Sequence, residues 1–198
     1  MGGTVLGMSR LILASGSPRR AELLRSVGIE FEVRPADIDE SPLPGEPATS
    51  YVDRMANEKC LAVKSRLPRG DRSVVIAADT IVAIDGDILG KPSDDGEARR
   101  MLRRLSGRRH DVFTAVCVAT PTEIGVTRVS TTVTFAEPSA AEVEWYIGRG
   151  ESLDKAGAYG MQTAGAVLVA RIDGSPTNVI GLPLRETVAM LAAAGIAP

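Results

Sequence analysis

The chain has few of the residues that most often hold metals or form disulfides. Its 198 residues include two cysteines, Cys60 and Cys117, and one histidine, His110. The cysteines form no CxxC pair and lie in apolar surroundings, so we expect buried, reduced thiols rather than a disulfide framework or a zinc site. Reduced thiols fit a reducing compartment, and we therefore expect a cytoplasmic protein.

Long apolar runs and a strong charge of either sign are missing as well. No segment approaches the roughly 18 apolar residues that a membrane span needs. The net charge is −2, which argues against a general nucleic-acid or anionic-membrane surface. We therefore expect neither a nucleic-acid nor a membrane partner. The sequence leaves open whether the chain forms a homodimer.

The best-known phosphate-binding and nucleophilic motifs are absent too. There is no GxxxxGK[ST] loop and no GxGxxG after a strand, which argues against a P-loop NTPase or a Rossmann site. With a single histidine, no Ser/His/Asp triad is evident, and we expect a structural role for His110. Aromatic residues make up only 4% of the chain, so the core must consist mainly of Val, Ile, Leu and Ala.

The elements that are present alternate between strands and helices early in the chain, with hairpins in the middle. This order predicts an α/β fold with mixed α+β character, in which a mixed, twisted β-sheet is flanked by helices. Predicted helices begin after Ser17 and Pro47, at about Asp94, after Ser139 and near Pro183. We expect residues 1–9 to be a flexible N-terminal extension and residues 10–198 to form a single domain.

Local signals mark several element boundaries. Asp85-Gly86 is typical of a two-residue hairpin turn and predicts a short return strand. Ser139 and Glu142 have the spacing of a helix capping box. Ser93 is predicted to cap the helix that runs to about Leu105. A further strand is predicted over the segment AVLVARI, residues 166–172.

Two ionisable residues interrupt apolar patterns. Asp79 lies within VVIAADTIVAI, where an ionised carboxylate costs several kcal/mol unless it is paired or binds a metal. It either caps a turn or faces a cleft, and the cleft is favoured because the apolar run continues past it. Lys59 falls on the helical stripe of Val52, Met55 and Val63. It either extends to solvent or points across a cleft at an anion.

Paired arginines occupy the first turn of the first predicted helix. Free N–H groups and the helix dipole already favour an anion at a helix N-terminus, so Arg19 and Arg20 are mildly unfavourable there unless they bind one. Arginine donors match phosphate oxygens, and Ser15 and Ser17 add hydroxyl donors. The alternative is that both arginines are simply solvated.

Two lysines extend this cationic set. Lys91 and Lys155 lie in loops of small residues near predicted strand ends, where a lysine is either exposed or an anion ligand. Collected into one cleft with Lys59 and the paired arginines, they would suit a polyphosphate.

These residues fall in motifs that occur in order along the chain: LASGSPRR, EKC, AADT, GKP, LSGRRH, LDKAGAYGMQ and NVIGLPL. On these motifs the chain, from about Leu11 to Glu186, resembles the Maf family of nucleoside triphosphate pyrophosphatases, historically associated with septum formation. The resemblance implies two lobes with a deep central cleft, similar to inosine triphosphate pyrophosphatases. It also implies cleavage of a nucleoside triphosphate to the monophosphate and pyrophosphate with a divalent metal.

The resemblance implies a role for each matching residue. Asp79 looks like the catalytic proton acceptor, and Glu40, at the end of DIDE, like a metal or catalytic carboxylate. Lys59 and Lys91 complete the expected catalytic set. Phosphate binding is expected of Ser15, Ser17, Arg19, Arg20 and Lys155. Arg19, Thr80 and Gln162 match the positions associated with substrate choice in the branch that prefers dTTP and UTP.

The expected metal follows from the available ligands. Because histidine and cysteine clusters are missing, a hard, oxygen-bound ion is expected, Mg²⁺ or alternatively Mn²⁺. Glu40 and Asp79 are the residues expected to hold it.

Other functions share part of this pattern. The same chemistry could act on modified nucleotides, and a non-catalytic nucleotide-binding regulator of cell division would use the same basic residues. Such a regulator gains nothing from the acids Glu40 and Asp79 unless a metal lies between them. A phosphatase that removes only the terminal phosphate is a further alternative, which its products would reveal.

Overall fold

A mixed β-sheet with helices on both faces forms the framework of the computed structural model, which describes residues 10–197. The strands are β1 (Leu11–Leu13), β2 (Glu32–Val33), β3 (Val74–Ile84), β4 (Asp87–Leu89), β5 (Arg109–Ala119), β6 (Ile124–Phe135) and β7 (Val169–Asp173). The helices are α1 (Pro18–Ser26), α2 (Ala48–Lys64), α3 (Asp95–Leu105), α4 (Ala140–Ile147), α5 (Pro176–Ile180) and α6 (Leu184–Ala193). The predicted fold class is confirmed, whereas the predicted extension, residues 1–9, lies outside the described residues.

The strands follow the order β2-β1-β3-β5-β6-β7, and β4 pairs with β3 off this path. β1 runs parallel to both β2 and β3, and the remaining pairs are antiparallel. The parallel pairs are reached through the crossover helices α1 and α2, whereas short turns join the antiparallel pairs β3–β4 and β5–β6.

Two predicted boundaries are confirmed by their geometry. Asp85 and Gly86 have φ angles of 56° and 85°, the left-handed conformation that a two-residue turn of this type requires. Ser139 and Glu142 form the full capping box, each side chain bonding the backbone N–H of the other residue.

Three other boundaries differ from the prediction. Asp94, and not Ser93, is the N-cap of α3, and its carboxylate accepts the N–H of Glu97 at 2.7 Å. β7 begins at Val169 because residues 164–168 form a 3₁₀ turn. The extra short helix α5 begins at Pro176 and includes the first three residues of NVIGLP, and its N-terminus is capped by the side chain of Ser175.

Apolar side chains collect in clusters that define two lobes. On one side of the molecule, α2 packs on one face of β1, β3 and β5, and α1 and α6 pack on the other face. On the other side, α3, α4 and the turn before β7 pack on the far halves of β3, β5 and β6. β3 and β5 therefore run through both lobes and join them.

The cleft between the lobes lies where β3 lacks a neighbour on one edge. β1 pairs with β3 only over Val74–Ile76, and β4 pairs with it again from Val82. β5 covers the opposite edge from Val75 to Ala83. Within the described chain, residues 77–81 of β3 thus have no strand partner on the edge shared by β1 and β4, and residues 79–81 line the cavity there.

No helix in residues 10–197 combines the length and the apolar character needed to cross a bilayer.

The stability of the second lobe rests on α3, and a matched pair of leucines tests this. Leu102 on α3 is fully buried, whereas Leu61 on α2 is 40% exposed. We expect Leu102→Ala to lower the free energy of unfolding by about 2–5 kcal/mol and Leu61→Ala by less than about 1 kcal/mol. Urea denaturation measures both. Equal losses for the two variants would contradict this packing.

Candidate active site

A cavity of about 570 Å³ occupies the gap beside β3, a volume typical of small-molecule sites. Its lining contains every candidate site residue predicted from the sequence: Ser15, Ser17, Arg19, Arg20, Glu40, Lys59, Asp79, Thr80, Lys91, Lys155 and Gln162. These residues come from segments that are distant in the chain. The fold therefore brings the whole predicted set together.

A buried ion pair connects α2 to β3 at the base of the cavity. The Lys59 ammonium donates to Asp79 Oδ1 at 2.7 Å and lies 2.9 Å from Glu40 Oε1. Lys59 is only 8% exposed and Asp79 only 6%. Lys59 therefore does not extend to solvent, and Asp79 lies in the middle of a strand rather than capping a turn.

The loop that carries Glu40 is fastened to α2 by a tyrosine. The Tyr51 hydroxyl donates to the Glu40 carbonyl oxygen at 2.8 Å. Burial, reinforced by the charges of Asp79 and Glu40, raises the pKa of Tyr51 to about 12, so the phenol keeps its proton at neutral pH. The acidic loop is thus held where its carboxylate meets Lys59.

Arg20 is held by neutral acceptors. Its Nε donates to the Gly181 carbonyl at 2.9 Å, and its two terminal nitrogens donate to Ser15 Oγ at 3.1 Å and Thr80 Oγ1 at 3.2 Å. Burial lowers the pKa of Arg20, and the nearby Asp79 opposes that shift. Because the bonded acceptors carry no charge, the guanidinium keeps its full charge toward the cavity.

Arg19, the other half of the predicted pair, is bonded differently. Its guanidinium meets the Asp154 carboxylate at 2.6 Å, and the Lys155 ammonium meets the same carboxylate, also at 2.6 Å. Lys155 also donates to the Glu151 carbonyl. Asp154 thus ties the first turn of α1 to the glycine-rich loop of the opposite lobe.

A glycine makes room for Lys155. A Cβ at Gly160 would overlap the side-chain carbons of Lys155, so only glycine lets the lysine lie across this loop. The close spacing of these two residues in LDKAGAYG follows from that packing.

The N-terminus of α1 is left without a side-chain cap. Ser17 occupies the predicted N-cap position, but its hydroxyl caps no backbone N–H group. The Ser17 N–H itself donates to Ser15 Oγ at 3.2 Å. The uncapped first turn carries partial positive charge into the cavity, which favours an anion there.

The remaining predicted residues line the more open parts of the cavity. Lys91, just after β4, and Gln162, in the loop before β7, are both exposed. Thr80 follows Asp79 on β3 and is half-buried, with its side chain on the other face of the sheet.

His110 lies behind the cavity wall and not in it. Its Nε2 is 2.7 Å from the hydroxyl of Tyr159, whose side chain lines the cavity. The rings of His110, Tyr159 and Phe135 pack edge to face. Burial lowers the pKa of His110 to about 4, so the imidazole is neutral at pH 7 and supports the wall.

The carboxylates of the cavity could hold a metal ion only if the substrate supplied further ligands. Glu40 and Asp79 converge on one point, which the Lys59 ammonium occupies. Among residues 10–197, no group of three or more His, Cys, Asp or Glu side chains could hold an ion by itself. Mg²⁺ is commonly held by one or two carboxylates plus substrate phosphates, and the carboxylates present fit that mode.

Sequence reasoning missed residues that act on the predicted ones. Asp154 stands beside Lys155 in the motif LDKAGAYGMQ, and its charge next to a predicted phosphate ligand was an available signal. Tyr51 gave no signal, because its partner is a backbone carbonyl of a remote loop.

Comparison with known proteins gives a consistent result. The model of the family described as Maf-like protein matches residues 10–194. A protein named dTTP/UTP pyrophosphatase from Anaeromyxobacter dehalogenans strain 2CP-1 is 53% identical over 190 residues, covering 94% of each chain. One of the same name from Myxococcus xanthus is 53% identical over 186 residues, covering 94% of this chain and 93% of the other. A third, from Symbiobacterium thermophilum, is 48% identical over 184 residues, covering 93% of each.

The neutral, buried His110 predicts a loss of stability in mild acid. The unfolded chain binds the histidine proton below about pH 6.5, whereas the folded chain binds it only near pH 4. Stability is therefore full above pH 6.5 and falls as the pH drops toward 4. Between pH 7 and pH 5 we expect a loss of about 2 kcal/mol from this group.

Urea denaturation at both pH values measures the effect, with His110→Gln as the variant that cannot titrate. The difference in unfolding free energy between pH 7 and pH 5 should be smaller in this variant by about 2 kcal/mol. An unchanged difference would show that the histidine proton is not excluded from the folded chain.

Proposed function

The chain belongs to the Maf-like protein family, and on that premise we propose that it hydrolyses nucleoside triphosphates to the monophosphate and pyrophosphate, preferring dTTP and UTP. The names of its relatives support this substrate choice. The observation that carries the proposal is the buried Lys59, which joins Asp79 and Glu40 inside a cavity rich in cations. In this proposal residues 10–198 act as one catalytic domain.

The charge of the cavity supports a polyphosphate ligand. Its lining has the five cations Arg19, Arg20, Lys59, Lys91 and Lys155 and the three carboxylates Glu40, Asp79 and Asp154. The lining is therefore positive by two charges, although the whole chain has a net charge of −2. A triphosphate carries roughly four negative charges near neutral pH, so a divalent cation bound with it would balance the site.

We assign that cation to Glu40 and Asp79. Mg²⁺, or Mn²⁺ in its place, would neutralise phosphate oxygens and favour the leaving group. Lys59 lies between the two carboxylates in their present arrangement. It is thus placed to pass from them to a phosphate oxygen when the nucleotide is bound.

Asp79 is the proposed proton acceptor. Its Oδ1 is held by Lys59 at 2.7 Å, so the carboxylate has a fixed orientation on the rigid strand β3. A fixed carboxylate can orient a water molecule and take its proton as the phosphoanhydride bond breaks.

The phosphates would be bound on two sides. Arg20, Ser15 and Ser17 lie at the open N-terminus of α1, a combination of guanidinium, hydroxyl and backbone donors that suits phosphate oxygens. Lys91 and Lys155 face them from the second lobe. Positive groups from both lobes would thus bind the triphosphate between them, beside the unpaired edge of β3.

We assign the choice of base to Thr80 and Gln162, and we include Arg19 in this set. Both residues line the cavity, Thr80 from β3 and Gln162 from the loop before β7. Polar groups that a wrong base leaves unpaired would discriminate against that base.

The first test of the proposal is the identity of the products. With UTP or dTTP and Mg²⁺, the protein should release pyrophosphate and the nucleoside monophosphate in equal amounts, as measured by anion-exchange chromatography. Orthophosphate and a diphosphate would support a terminal phosphatase instead. Binding without turnover of either nucleotide would support a non-catalytic regulator. Faster turnover of modified nucleotides would show that these, and not UTP or dTTP, are the preferred substrates.

Asp79→Asn tests the proton acceptor. Asparagine keeps the size of the side chain and an oxygen that can accept from Lys59, so the protein should stay folded and bind nucleotide. We expect kcat to fall by at least about 100-fold, because the amide cannot take a proton. Asp173→Asn, at an exposed position at the end of β7, is the matched control. Near-normal pyrophosphate release by Asp79→Asn would exclude Asp79 from this role.

Asp154→Asn tests whether Asp154 competes with phosphate for its two cations. Removing the negative charge frees Arg19 and Lys155 for the substrate, so KM for UTP should fall by about threefold, the scale of a half-exposed ion pair. Steady-state kinetics at constant ionic strength measure it, with Asp173→Asn again as control. A higher KM would mean that Asp154 is needed to hold the cations in place.

A further inference from the structure

Thr80 and Thr114 are direct partners across β3 and β5, with their hydroxyl oxygens 2.9 Å apart. Thr80 is half-buried and lines the cavity, whereas Thr114 is fully buried behind it. The Thr114 hydroxyl also lies 2.9 Å from the carbonyl oxygen of Asn178 on α5. A row of three polar groups therefore leads from the cleft into the core.

The direction of the hydrogen bonds in this row is fixed. A carbonyl oxygen can only accept, so Thr114 must donate its single hydroxyl hydrogen to Asn178. Thr114 then has no hydrogen left for its neighbour, and the 2.9 Å contact requires Thr80 to donate to Thr114, since the other acceptor near Thr80, the Gly181 carbonyl oxygen, is farther away at 3.4 Å. The hydroxyl hydrogen of Thr80 is thereby directed away from the cavity.

The end of the row is rigid. Asn178 is fully buried, and its side-chain amide donates to the Val112 carbonyl at 2.9 Å and to Thr131 Oγ1 at 3.0 Å. These bonds pin α5 to β5 and β6, so the accepting carbonyl cannot turn away from Thr114.

Toward the cavity, the Thr80 hydroxyl can therefore act only as a hydrogen-bond acceptor, through its two lone pairs. One of them accepts from Arg20 at 3.2 Å. The other is available to a donor in the cavity. A ligand group that faces Thr80 must therefore carry a hydrogen, because an acceptor there would meet a second acceptor and leave both unpaired.

We propose that Thr114 determines base specificity from outside the cavity, by fixing the Thr80 hydroxyl as an acceptor for a ring N–H of the base. N3 of uracil and thymine carries a hydrogen, whereas N3 of cytosine is an acceptor. Thr114 is thus a positioning residue that acts through Thr80. The inference rests on the proposed pyrophosphatase function and on the assignment of Thr80 to the base.

The test compares kcat/KM for UTP with kcat/KM for CTP. Thr114→Val keeps the shape of the side chain and removes its hydroxyl, and the Asn178 carbonyl still accepts the Gly181 N–H at 3.0 Å. Thr80 then keeps only the long contact of 3.4 Å to the Gly181 carbonyl oxygen, so its hydrogen is no longer held firmly and can turn to donate to cytosine. We expect the UTP/CTP ratio to fall by at least about fivefold, the scale of one hydrogen bond. Thr114→Ser, which restores the hydroxyl, should keep the ratio within about twofold.

Two further variants keep the proposal testable if Thr114→Val folds poorly. Thr80→Val should lower the same ratio, and Thr80→Val combined with Thr114→Val should lower it no further, because both changes remove one interaction. An unchanged ratio in Thr80→Val, an additive effect of the two changes, or an equal loss of activity toward UTP and CTP would overturn the proposal. Failure of the pyrophosphatase function itself would appear differently, as absence of pyrophosphate release from wild-type protein.

Discussion

The open edge of β3 between β1 and β4 is the constraint on which the cleft depends. A strand edge that no other strand covers leaves polar groups that must find partners elsewhere. Here β5 pairs with the other edge from Val75 to Ala83, so β3 is held in the sheet while residues 79–81 line the cavity. Side chains alternate across a strand, and consecutive residues Asp79 and Thr80 therefore face opposite sides of the same opening. One short stretch thus supplies a carboxylate to one wall and a hydroxyl to the other.

The buried ion pair of Lys59 and Asp79 adds little to the free energy of folding. Removing Lys59 and Asp79 from water carries a penalty that their attraction only roughly offsets, and apolar residues of similar size would stabilise the fold as well or better. Both residues of the pair line the cavity. We therefore infer that the buried pair serves orientation. Each charged group has few alternative partners, so its position is fixed before a ligand binds.

Much of this arrangement could be predicted from the sequence because the signals are local. An acid in an apolar run, a lysine on an apolar helical stripe and arginines on a first helical turn each conflict with their own neighbours in the chain. The elements followed from similarly local patterns, such as the Asp85-Gly86 turn. Some misses are small local shifts, such as the cap of α3 at Asp94 instead of Ser93, whereas the misses that concern the site involve partners distant in the chain. Asp154 meets Arg19 across 135 positions, and the short helix α5 is stabilised by contacts to β5 and β6 that no window of its own sequence contains.

The two neighbouring arginines of α1 have different roles in the cavity because their distant partners differ. Arg20 is held by three neutral oxygens, so its direction is fixed without a directly bonded carboxylate. Arg19 is met by a carboxylate from the other lobe and is 24% exposed, so its charge is compensated while its side chain can exchange partners. The first turn therefore presents one permanent cation and one exchangeable cation to the same cavity. An anion that replaces Asp154 gains Arg19 and Lys155 together, which links occupancy of the site to the contact between the lobes.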